Sequence, residues 1–160
     1  DTSRKKYVLV ATVSAGKNSY TFKRLKGAKG TKLTPGTVYK VRVAAYQTVK
    51  GATVYKKTET LQTATKPAKA VVKVTGKSAA KARITWKKVM GSSGYEIYMS
   101  TKKKSGYKKI KTITSSKKVS YTKTKLKKRT TYYFKVRAYK KVGNQKIYGA
   151  CSTVKSIKTK

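Results

Sequence analysis

Two segments of this chain repeat one another without a gap. Leu33-Thr34-Pro35-Gly36-Thr37-Val38-Tyr39-Lys40-Val41-Arg42-Val43-Ala44-Ala45-Tyr46 aligns with Leu126-Lys127-Lys128-Arg129-Thr130-Thr131-Tyr132-Tyr133-Phe134-Lys135-Val136-Arg137-Ala138-Tyr139, at a constant offset of 93 residues. The same offset persists into the next segment, where Tyr55 falls on Tyr148 and Leu61 on Val154. A register held across two segments and their connecting loop marks two copies of one module. Apolar residues recur at every second position in both copies, the period of a half-buried strand. The chain is rich in Val, Ile, Thr and Tyr, the residues that fit a pleated sheet. An all-β fold is expected.

The copies differ upstream. Tyr7-Val8-Leu9-Val10 matches Tyr95-Glu96-Ile97-Tyr98 at an offset of 88, which predicts a strand at residues 7–10. The second copy has two further candidate strands, at residues 70–74 and 82–86, and the first copy has only six residues before Tyr7 in which to hold their equivalents. Pro67 cannot donate to a ladder, so Lys66-Pro67-Ala68 reads as a linker. The expected domains are a partial module over 1–65, holding third to seventh strands, and a complete one over 69–160. Turn signals at Gly76, Gly91–Gly94, Gly106 and Gly143 divide the second copy into seven short strands, an antiparallel sandwich pattern.

Composition then limits the chemistry. The chain carries 43 Lys and Arg against 3 acids, a formal net charge of +40, and no His. The acids are Asp1, Glu59 and Glu96, and Cys151 is the single cysteine. Triads that use His, structural zinc sites and carboxylate calcium sites all lack their residues. Catalysis, a metal and a cofactor are therefore not expected. A crosslink between a Lys and Asn18 or Asn144 would need a buried carboxylate, and Glu96 is expected to face outward. Cys151 reads as a small, partly buried strand residue. No apolar run approaches the roughly 18–20 residues of a membrane span. So strong a positive charge attracts polyanions. It is mostly Lys, a mobile point charge, where shape-specific anion recognition favours Arg.

Several of these residues resemble the fibronectin type III domain. Leu33-x-Pro35-x-x-x-Tyr39 is similar to that family's corner before its sixth strand, where a Tyr hydroxyl ties back to nearby backbone. Leu126 and Tyr132 keep the corner's Leu and Tyr, with Lys128 in place of Pro. Trp86 resembles the family's core Trp on the second strand. Residues 94–98 and 132–139 resemble forms common in bacterial surface and secreted proteins. The resemblance implies two tandem antiparallel β-sandwiches, the first lacking its first two strands, at an extracellular or cell-wall-associated location. The open first copy has three explanations: a longer parent chain, a partner chain that donates strands, or an atypical sheet. Trp86, Tyr39 and Tyr132 are structural residues in this reading.

Alternation assigns faces. Tyr132, Phe134, Val136 and Ala138 should point inward, with Tyr133, Lys135, Arg137 and Tyr139 outward. On the neighbouring third strand Tyr95 and Ile97 should be inward and Glu96 and Tyr98 outward, so an exposed Glu96 would pair with Lys135 or Arg137. Tyr98, Tyr133, Lys135, Arg137 and Tyr139 form a candidate aromatic and basic ligand face, although the same pattern serves ordinary cross-strand pairing. A second candidate is the acid-free run containing Lys102, Lys103, Lys104, Lys108, Lys109, Lys111, Lys117, Lys118, Lys127, Lys128 and Arg129. It is a candidate polyanion-binding surface, or a solvated face that protects β-edges. The expected function is a non-catalytic structural or adhesive module that holds anionic polymers: wall polymer, glycosaminoglycan-like chain or nucleic acid. The alternatives are a nucleic-acid-binding protein and an accessory spacer of a large extracellular enzyme.

Overall fold

The computed structural model describes residues 7–21, 32–78 and 80–160 and divides the chain into two compact units, Asp1–Thr65 and Lys66–Lys160. Among the described residues the regular structure is all strand.

Among its described residues the first unit contains one antiparallel strand pair, β1 (Val38–Val49) and β2 (Ala52–Ala64). They meet at Lys50-Gly51, with φ of 48° and 77°, the left-handed conformation that a two-residue hairpin turn requires. No strand forms at Tyr7–Val10, contrary to the sequence expectation. Tyr7, Val8 and Leu9 are exposed, so no buried face fixes a register there. Tyr7 instead lays its ring on the Arg42 guanidinium of β1, 3.9 Å from the centroid.

The second unit is a sandwich. One sheet has the order β3 (Val72–Ser78), β4 (Lys81–Trp86), β7 (Ser120–Lys123). The other has the order β10 (Lys155–Lys158), β8 (Thr131–Val142), β5 (Gly94–Ser100), β6 (Lys108–Ile113), with β9 (Gln145–Cys151) also on β8. The expected seventh strand is thus broken in two. Ser152 bridges the break: its N–H donates to Val136 O (2.8 Å) and its Oγ accepts from Val136 N (3.0 Å).

Tyr132, Phe134, Val136 and Ala138 of β8, beside Tyr95 and Ile97 of β5, share one buried core with Ile84 and Trp86 of β4 from the other sheet. Trp86 packs edge-on against Tyr95, centroids 5.2 Å apart. The buried Tyr95 hydroxyl accepts from Val89 N and donates to Ser116 O, so its polar end is satisfied without water. Each such side chain contributes about 1.5–3 kcal/mol when fully buried.

The strand registers also fix which loops share an end. Ser100 lies opposite Tyr133, Met99 opposite Lys108, and Ala82 opposite Lys123. Segments 101–107 and 124–130 therefore open at one end of the sandwich, together with the β3–β4 turn. Segments 87–93, 114–119 and the β8–β9 turn open at the other.

Candidate functional site

The two segments that repeat in sequence share a detailed corner. In the first, Thr34 N donates to Tyr39 Oη (3.1 Å); in the second, Lys127 N donates to Tyr132 Oη (3.0 Å). Thr65 Oγ1 donates to Thr34 O (2.5 Å) and accepts from Thr37 N (3.1 Å). Thr159 Oγ1 donates to Lys127 O (2.6 Å) and accepts from Thr130 N (3.0 Å). Gly36 and Arg129, at equivalent positions, both have left-handed backbone, with φ of 72° and 52°. The register shift also recurs, between Ala44 and Tyr46 on β1 and between Arg137 and Tyr139 on β8. Ring pairs Tyr46–Tyr55 and Tyr139–Tyr148 lie 6.4 and 6.2 Å apart.

The outward face of the β8–β5–β6 sheet centres on Glu96. This carboxylate is 1% exposed, which corrects its expected place on the open surface. Its strand does turn it away from the core, but long neighbours close over it. Oε2 accepts from Tyr98 Oη (2.6 Å) and Arg137 Nη2 (3.0 Å), and Oε1 from Tyr148 Oη (3.3 Å) and Lys109 Nζ (3.4 Å). Lys146 Nζ stands 3.8 Å away. The Arg137 guanidinium lies 3.8 Å from the Tyr148 ring centroid and 5.4 Å from that of Tyr98. Arg137 is thus the partner of Glu96, and Lys135 instead places its Nζ 3.8 Å over the Tyr107 ring.

Burial pushes the Glu96 carboxyl upward, but hydrogen bonds from Tyr98, Arg137 and Lys109 overcome it and hold the group at about 2. Desolvation and the adjacent Glu96 push Tyr98 up to about 12. Desolvation moves Arg137 down, but its bond to Glu96 and the neighbouring charges of Tyr98 and Glu96 together hold it above its ordinary value. The carboxylate therefore stays ionised and its lone pairs are taken.

Tyr139 corrects a second expectation. It points outward, beside Tyr148 and Lys146, but is covered there and only 2% exposed. It lies opposite Gly94, where the missing Cβ leaves room for its ring, and its hydroxyl donates to Ile113 O (3.3 Å). Tyr98, Tyr133, Lys135 and Arg137 are half-buried. Tyr98 and Arg137 bond to each other and to Glu96, so the expected aromatic and basic face is internally bonded around Glu96. Cys151 is exposed, not partly buried.

The lysine run is not one patch. Lys102, Lys103, Lys104 and Lys108 share an end with Lys127, Lys128 and Arg129. Lys109 and Lys111 lie along the edge strand β6, and Lys117 and Lys118 occupy the opposite end. All eleven are exposed. Sequence reasoning left out Tyr148 and Lys146, which close the Glu96 site. The repeat did pair Tyr148 with Tyr55, but gave no reason to bring it to Glu96. Among the described residues no group of three or more His, Cys, Asp and Glu could hold a metal, and no helix is long and apolar enough to cross a membrane.

A family model described as the fibronectin type III domain matches residues 66–153. The chain belongs to the fibronectin type III family. Domains of this family are generally non-catalytic structural modules and are common in extracellular proteins. Comparison with curated proteins gives no match. Among solved structures, an Fn3-like protein from Clostridium thermocellum is 27% identical, with 56% of this chain and 86% of that chain covered and a TM-score of 0.46. The FN1–FN3 domains of chicken CNTN1 are 24% identical with a TM-score of 0.51; the match covers 78% of this chain and 42% of that one. A fn3 domain of human contactin 1 is 22% identical, covering 56% and 73%, with a TM-score of 0.47.

Proposed function

We propose that this chain is a structural and adhesive part of a secreted or cell-wall-associated protein, whose lysine surface holds anionic polymers by unspecific electrostatics. One observation carries the reading: acids compensate almost none of the surface charge. Glu96 is consumed inside its own layer, and Glu59 pairs with Lys57 at 3.0 Å. Among the described residues, the exposed lysines of the second unit other than Lys109 and Lys146 have no Asp or Glu partner. Lys-dominated charge suits a flexible polymer of repeating anions, such as a wall polyphosphodiester or a glycosaminoglycan-like chain. The test is competition at fixed salt between such polymers and duplex DNA at equal charge concentration. The wall polymer or heparin should hold its place; displacement by DNA would favour a nucleic-acid-binding role.

We further infer that the first unit is a second fibronectin type III copy whose sandwich is completed by strands outside these residues, from the same polypeptide or a neighbouring chain. The shared corner, the shared register shift and the repeated Tyr pair support tandem copies, and the chicken CNTN1 match covers more of the chain than the second unit alone. Val43 and Leu61, equivalent to Val136 and Val154, are 59% and 48% exposed, whereas Val136 is fully buried. Adding a module's first five strands as a separate polypeptide should protect β1 and β2 from amide hydrogen exchange. Unchanged exchange would count against completion by strands.

A further inference from the structure

We propose that the polymer-binding surface is one end of the second unit's sandwich, built from segments 101–107 and 124–130, and that it takes a flexible chain of phosphate groups. This rests on the polyanion-binding function proposed above and assigns it a place and a ligand class.

One turn occurs in this chain in two versions. The corner before β1 reads Thr34-Pro35-Gly36 and the corner before β8 reads Lys127-Lys128-Arg129. Both make the same bonds: an N–H to the Tyr hydroxyl and a carbonyl to a Thr hydroxyl. The fold is therefore satisfied by a neutral turn, and the three cations are not needed to make it. They also carry a cost. Arg129 sits at φ 52° where the other copy has Gly36 at φ 72°, a conformation that glycine adopts freely and other residues adopt with strain. Like charges on three successive residues add repulsion. Folding alone would not favour this choice.

The facing loop has the same character. Lys102, Lys103 and Lys104 are exposed, while their backbone is pinned. Lys102 N donates to Ser100 Oγ, Ser100 Oγ donates to Ser105 O, and Tyr107 Oη donates to Lys103 O. Cations on a held backbone lose less freedom when they engage a ligand. The ring of Tyr107, beside this loop, has Lys135 Nζ 3.8 Å over one face, which closes that face to base stacking. Lys outnumbers Arg five to one among these six cations, which favours mobile point contacts over forked recognition. A flexible phosphate chain can follow two convex loops, and a stiff duplex cannot bend to do so without cost.

The test uses the full chain and long-chain inorganic polyphosphate, with short duplex DNA as comparison. One variant replaces Lys102, Lys103, Lys104, Lys127 and Lys128 by Gln and Arg129 by Gly. A second removes the same charge at Lys66, Lys69, Lys73, Lys87, Lys88 and Lys141. Far-UV circular dichroism and thermal melting confirm that both remain folded. At about 50 mM salt the first variant should lose at least about tenfold in polyphosphate affinity and show a shallower salt slope, and the second should lose less than about threefold. Equal losses would overturn the assignment to this end while leaving polyanion binding intact. Tighter binding of the duplex than of polyphosphate at equal charge would overturn the ligand class. Failure of the unmodified chain to bind either probe would overturn this inference and the function beneath it.

Discussion

Glu96 shows how one residue can decide a local structure in a chain of such charge. Removing its carboxylate leaves the Arg137 guanidinium held among Tyr98, Tyr148 and Lys109 with no anion. Breaking a buried pair in this way costs about 3–5 kcal/mol, and Glu96→Gln should destabilise the second unit by an amount near the lower end, measured by urea unfolding. The pH dependence has two limbs. Glu96 has a folded value of about 2, below its ordinary 4.5, so its contribution is complete above pH 4.5 and is lost as pH falls through 2. Its size is roughly 3–4 kcal/mol, at 1.36 kcal/mol per unit. Tyr98 has a folded value of about 12, above its ordinary 10. Its contribution is complete below pH 10 and is lost as pH rises through 12. Unfolding midpoints measured across pH should form a plateau between these limits, and Glu96→Gln should flatten the acid limb. Gly94→Ala addresses packing instead: a Cβ there would lie 2.1 Å from Ile113 O and 2.6 Å from Tyr139 Oη. Strand β5 or the Tyr139 ring must shift, and a loss of about 1–3 kcal/mol is expected.

At the scale of elements, the β8 strand and its corner set the fold of the second unit. Tyr132→Phe keeps the ring but leaves Lys127 N without its acceptor, and should cost about 1–3 kcal/mol. The inward alternation of Tyr132, Phe134, Val136 and Ala138 is readable from sequence because each has polar or larger outward neighbours at period two. The outward face was legible in direction but not in exposure. Alternation assigns Glu96 and Arg137 to that face, yet it cannot show that Tyr98 and Tyr148 fold over the pair. Tyr139 keeps its outward direction, but its burial could not be read because the space it fills belongs to Gly94, a residue on another strand. The break between β9 and β10 depends on a side-chain bond from Ser152 to β8, and such bonds leave no periodic trace. In the first unit, the same inward pattern on β1 meets no opposing sheet among the described residues. Amide exchange should therefore be slow in β4, β5 and β8 and much faster in β1 and β2, read by mass spectrometry peptide by peptide. Comparable protection in both units would contradict the view of an uncovered first copy.

For the whole molecule the controlling quantity is a net charge of +40, far above the roughly 2–8 of ordinary small domains. At physiological ionic strength the screening length is about 8 Å, so the surface field reaches only near neighbours and binding must be made by direct lysine contacts. The sequence made the charge legible but not its distribution. Its acid-free run from residue 102 to 129 is divided by the topology between two ends and an edge strand. The most direct measurement is the affinity for long-chain polyphosphate across a salt series, by fluorescence anisotropy or calorimetry. Tight binding at low salt is expected, with log K falling linearly against log salt and a loss of about 10³–10⁵ between 50 and 200 mM if roughly 6–10 phosphates are neutralised. A chain that is inert to polyphosphate at low salt, or an affinity that salt leaves unchanged, would contradict the account.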